Sequence, residues 1–98
     1  QFTKYRLGDI ASLKSIYSIR LFEMLMQFQN TTIVLIDLNN FKERLGISEK
    51  YPVFKDLRRR IIEPAVKELN QKSHFNITFK GVREGRAIKN LEFFFSEK

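Results

Sequence analysis

Tyr51-Pro-Val-Phe-Lys-Asp-Leu-Arg-Arg-Arg-Ile-Ile-Glu-Pro-Ala-Val-Lys-Glu-Leu-Asn70 reads as one long amphipathic helix. Leu57, Ile61, Ala65 and Leu69 recur every four residues, and Phe54 and Ile62 widen that apolar stripe into a core-facing side. Lys55 and Arg59 project roughly opposite the stripe, and Arg58 lies on its edge. Pro52, with its fixed φ and missing N–H, suits the first helical turn. Pro64 falls inside the pattern and removes the bond to the carbonyl of Arg60. It therefore predicts a kink, a local opening, or a division into two helices.

Working backwards, Asp37 offers a carboxylate as N-cap to a short helix carrying Leu38, Phe41 and Leu45, and Gly46 stops it in a tight Gly46-Ile47 turn. Thr31 to Ile36 is β-branched and apolar, a short strand. From about Ser12 to Phe28 the chain is free of Gly and Pro and helical in composition. That helix is apolar on nearly all sides, with Arg20, Glu23 and Gln27 as one narrow polar stripe. Such a helix is either central to the core or partly covered by another domain or a second copy. Residues 1–11 lead into it.

Working forwards, Phe75, Ile77 and Phe79 alternate with Asn76, Thr78 and Lys80, and Leu91, Phe93 and Phe95 repeat the alternation. Gly81 to Arg86 supplies two glycines and two arginines for the turn between the strands. The order is α-β-α-α-β-β: an α+β fold with three helices on a small antiparallel sheet. Helix, sharp turn, basic helix and hairpin together are the order of a winged helix-turn-helix, whose second helix characteristically enters the major groove of DNA.

Ninety-eight residues, 43% of them hydrophobic and ten of them Phe, suffice for one domain with one core. Eighteen Lys+Arg against eleven Asp+Glu leave a net charge of +7, which favours polyanionic partners. With no cysteine there is no disulfide, thiol nucleophile or Cys-based zinc site. The single histidine, His74, sits in a polar loop and reads as solvated rather than catalytic. Asp37, Glu43 and Glu49 are scattered without a base, nucleophile or oxyanion partner, so no catalytic constellation, metal site or cofactor is expected. No apolar run approaches spanning length and no signal peptide is visible. The expectation is a non-enzymatic cytoplasmic domain. Because it starts at Gln1, it reads as a piece of something longer.

A DNA reader needs cations on phosphates and forked donors at base edges. Arg58 and Arg59 are the base-reading candidates, since arginine can bridge guanine O6 and N7, and Lys55 is the phosphate candidate. Arg60 lies near Asp56 and Glu63 and is expected in a surface ion pair. Lys80, Arg83, Arg86 and Lys89 form a second basic group at the tip and outer face of the hairpin. A solvated helix face would carry the first group just as well, but two basic surfaces expected side by side are a better signal than either alone. The competing reading is a winged helix whose basic face meets an acidic protein, or a transcription regulator of the same fold.

Ser18-Ile-Arg-Leu-Phe-Glu-Met-Leu25, Phe54 to Asn70 with its internal Glu63-Pro64-Ala65, Gly85-Arg86 and Leu91-Glu-Phe93 together resemble the iteron-binding plasmid replication initiators. The resemblance covers nearly the whole chain and corresponds to the second of two winged-helix domains, with the first helix opening it. Phe22 stands where tyrosine is usual and Met24 where leucine is common, which removes a hydroxyl without touching the fold. The resemblance implies that Lys55, Arg58 and Arg59 belong to a recognition helix reading one end of a directly repeated origin sequence. It further implies a missing N-terminal winged-helix domain that reads the other end and dimerises, and contacts with the host replication initiator and helicase-loading machinery.

Overall fold

A computed structural model describes residues 13–28 and 31–98. The expected lead-in over residues 1–11 and the expected helix start at Ser12 lie outside the described residues. In chain order come α1 (Ile16–Met26), β1 (Ile33–Asp37), α2 (Leu38–Leu45), α3 (Phe54–Leu57), a π-helical turn (Arg58–Ile62), α4 (Glu63–Lys72), β2 (Phe75–Glu84) and β3 (Ala87–Glu97). The last two helices and the π turn run on without interruption, so the order is the expected α-β-α-α-β-β. All strand pairs are antiparallel, in the order β1-β3-β2.

Helix α1 begins where the Ser15 hydroxyl accepts the Tyr17 and Ser18 amides. A longer-range acceptor sits over the same end. The Glu68 carboxylate of α4 takes the Lys14 amide at 2.7 Å and the Ser15 amide at 3.3 Å, and pairs with Lys72 at 3.0 Å. Burial opposes the charged carboxylate, but the Ser18 hydroxyl, these amides and Lys72 outweigh it and hold the pKa at about 2. The polar stripe of α1 docks on α2. Arg20 Nη1 donates to the Leu45 carbonyl at 2.8 Å, and Gln27 accepts from Arg44 at 2.8 Å. A cation on the last carbonyls of α2 also suits the negative end of that helix. Leu21, Phe22, Met24, Leu25 and Met26 are buried within this chain, so the apolar circumference of α1 is largely its own core. Ile16 and Phe28 remain exposed.

Asp37 caps α2 as expected, accepting the Asn40 amide at 3.0 Å. Gly46 at φ 78° ends it, with the Ile47 amide on the Lys42 carbonyl at 2.9 Å and the Gly46 amide on that of Glu43 at 3.1 Å. The connection to α3 then runs on to Val53, longer than a tight turn. Pro52 does not start the helix. It bars Tyr51 from the right-handed helical region. Tyr51 adopts φ 56°, with its carbonyl held by Lys42 Nζ at 3.3 Å. Val53 is extended, and its carbonyl accepts the first helical amides, from Asp56 and Leu57.

Pro64 neither divides nor ends the helix. The missing N–H and the bulk of its ring are accommodated by the π turn just upstream, where the Glu63 amide reaches back five residues to the Arg58 carbonyl. Leu57, Ile61, Ile62, Ala65, Val66 and Leu69 are buried on both sides of the turn. They meet Phe22, Phe41 and Phe93, the largest fully enclosed side chains. Phe41 stacks on Phe93 at 5.8 Å between centroids, and Phe22 tilts against Phe75 at 6.0 Å. His74 is half-buried with its ring 4.4 Å from that of Phe75, rather than solvated. Asn70 closes the free edge of β2 by donating to the Ile77 carbonyl at 2.9 Å and accepting the Ile77 amide at 2.7 Å. Among the described residues, no helix is long and apolar enough to cross a membrane.

Candidate nucleic-acid interface

The hairpin is longer than its sequence suggested. Strand β2 continues to Glu84, leaving only Gly85-Arg86 as the loop, with Gly85 at φ 69° in the first loop position of a two-residue turn. Gly81 is therefore a strand residue, not a turn residue. A Cβ there would lie 3.0 Å from Ile88 Cδ1 and 3.4 Å from Phe54 Cζ. The absent side chain lets the first turn of α3 settle against the hairpin. The register also slips: Val82 faces Asn90 but Arg83 faces Ile88. Lys89 is the extra residue of a β-bulge, which re-aims the tip of the hairpin.

These two details bring helix and wing together. Lys55 and Arg58 from the helix and Arg83 and Arg86 from the wing line one groove, floored by Phe54 and Ile88. Glu63 and Lys80 border its continuation beside Arg58 and Arg83. The Arg83 guanidinium donates to the Arg86 carbonyl at 2.9 Å, which stiffens the wing tip. The remaining candidates are placed differently. Arg59 is exposed and stands outside the groove, as does Lys89 on its bulge. Lys80 turns its ammonium to the outer sheet face, 3.6 Å from Glu92 and over the ring of Phe94. Arg60 is exposed, and of the two carboxylates expected near it, Asp56 and Glu63, the second lies against Arg58 instead: Nε lies 3.4 Å from Glu63 Oε2. That exchange follows from the π turn, which sequence periodicity could not reveal. Val53, exposed and lining the same groove, adds apolar surface of the kind that meets a thymine methyl.

The arrangement can therefore present forked donors and point cations from two elements to one polyanion. Comparison with known proteins carries this further. The family model described as initiator Rep protein, WH2, matches residues 37–95. The chain belongs to the initiator Rep protein family. Its winged-helix architecture is that of the family's second domain. The model described as initiator replication protein, WH1, matches residues 1–26, so α1 falls within a stretch matched by the first-domain model. In the fold, α1 is nonetheless tied to α2 and α4 of the second.

A replication initiation protein of Escherichia coli is 31% identical over 98 residues, covering 95% of this chain and 30% of that protein. An uncharacterized 27.6 kDa protein of Escherichia coli is 32% identical over 74 residues, covering 74% of the chain and 31% of that protein. The chain thus spans about three-tenths of the length of these relatives. A crystal structure of the Pi initiator protein in complex with iteron DNA superposes with a TM-score of 0.81 at 25% identity, over 88% of this chain and 40% of that one.

Proposed function

We propose that this domain binds double-stranded DNA sequence-specifically, at directly repeated origin sequences, as part of a plasmid replication initiator. The observation that carries the reading is the shared groove, to which the start of the recognition helix and the wing each contribute two cations. Lys55 contacts phosphate, Arg58 and Arg59 read base edges, and Arg83, Arg86 and Lys89 clamp the backbone beside them. Lys80 takes a lesser part, because Glu92 already holds its charge. The likeness to the Pi initiator protein, whose crystal structure contains iteron DNA, supports the same reading.

On this account the domain performs no catalysis and acts in the cytoplasm. A WH1 domain of the same protein reads the other end of the repeat, and the host replication initiator and helicase meet the assembled complex. The test is selection of bound duplexes from a random pool followed by sequencing. Enrichment of one short motif, found as tandem repeats at an origin, is the expected result. Absence of binding even at low salt would overturn the reading and favour an acidic protein partner.

A further inference from the structure

One carboxylate stands among the cations of the groove. Glu63 borders its continuation beside Arg58 and Arg83. In a regular α-helix, residues five apart are turned roughly 140° from one another and do not meet. Here the π turn of Arg58–Ile62 stacks Glu63 over Arg58, with the Glu63 amide on the Arg58 carbonyl. The carboxylate comes within 3.4 Å of Arg58 Nε. That Nε is covered and lacks a hydrogen bond of good geometry, yet 43% of the Arg58 side chain is exposed. The exposed part therefore lies away from Nε, and no hydrogen bond among the described residues engages the two terminal nitrogens.

We infer that Glu63 is a positioning residue for sequence readout: its charge, 3.4 Å from Nε, draws the Arg58 guanidinium to this side of the groove and leaves the terminal fork for a base edge. The inference rests on the proposed DNA-binding function and deepens it. An unheld arginine beside Lys55 and Arg83 would settle on the nearest phosphate, since phosphate contacts need no fixed orientation. Bidentate recognition of guanine does need one, because two parallel donors must match O6 and N7 at once. The carboxylate also lowers the local positive potential, so it weakens attachment to any duplex while sharpening the choice among them. Glu63 has 54% of its side chain exposed and is not among the buried residues of the core.

The experiment uses the full chain and a duplex enriched from the random pool, with variants altered one base pair at a time. E63Q is expected to bind unrelated duplexes more tightly and to lose roughly tenfold of its preference at one base position. R58A should lose preference at that same position, and R58A/E63Q should lose no more than R58A alone. The urea midpoint of E63Q should stay at that of the unaltered chain. If E63Q keeps the unaltered preference, or loses as much in the R58A background as alone, the positioning role is overturned while the DNA-binding reading stands. If the unaltered chain enriches no motif, the proposed function itself fails and this inference with it.

Discussion

Glu68 shows how much a single side chain can do from a position where it looks like surface charge. Its carboxylate caps the start of α1 and pairs with Lys72, and its pKa falls from 4.5 to about 2. Because the folded value lies below the unfolded one, its contribution is complete above about pH 4.5 and is lost as pH falls toward 2. E68Q is expected to cost on the order of 2 kcal/mol at pH 7 and much less at pH 2, read as urea midpoints at the two pH values. An equal cost at both would mean that shape, not charge, matters at this position. At the same scale, R59A should lose about 1–3 kcal/mol of duplex affinity and relax preference at one base position, whereas K89A should weaken all duplexes alike. Uniform losses from both, measured across a set of sequences, would contradict direct readout by Arg59. That Lys55 and Arg58 share one helical side was legible from their spacing on the helix wheel. The ion pairs of the basic side chains were not. Lys80 is neutralised across the strand by Glu92, and Glu63 reaches Arg58 rather than Arg60 only because of the π turn.

Among the elements, caps were legible and long-range ties were not. Asp37 and Gly46 announced both ends of α2, because capping chemistry is local. Arg20, which holds the end of the same helix through the Leu45 carbonyl, is distant in sequence and appeared only as part of a polar stripe. At Gly46, a Cβ would meet Arg20 Nη1 at 2.5 Å in a backbone conformation already at φ 78°. G46A should therefore lower stability by roughly 1–2 kcal/mol, and the cost should shrink in an R20A background, where the clash is gone but the strain stays. Thermal unfolding of the two single variants and the double variant checks this; strict additivity would remove Arg20 from the explanation. Gly81 and Gly85 make the complementary point. They look alike in a turn-like stretch, yet one makes the turn and the other makes room for Phe54 and Ile88. Pro64 announced an irregularity, and of the kink, the local opening and the division that it allowed, the structure has the local opening, as a π turn.

For the whole molecule, the net charge of +7 becomes informative once the helix and wing are seen to share a groove. A domain contacting about five phosphates should give a log–log salt slope near −4 to −5. A slope near zero would place the charge elsewhere than at the contact. The fold class and element order were legible because helix and strand periodicities are strong and the core is rich in phenylalanine. The contents of the core were less so: the apolar circumference of α1 left a central core helix and a covering domain both open, and this chain's own residues bury most of it. Sedimentation is accordingly expected to show a monomer. A stable dimer would mean that the exposed Ile16, Phe28 or Leu35 is an interface.

The central claim is that the start of the recognition helix and the wing form one DNA-binding surface. Backbone amide shifts, followed while the enriched duplex is titrated into the labelled chain, test it most directly. The account predicts the largest changes over residues 53–63 and 81–89, with little change at Ile33 and Leu35 on the outer sheet face. Changes centred on that outer face or on α1, with the helix and wing silent, would contradict it.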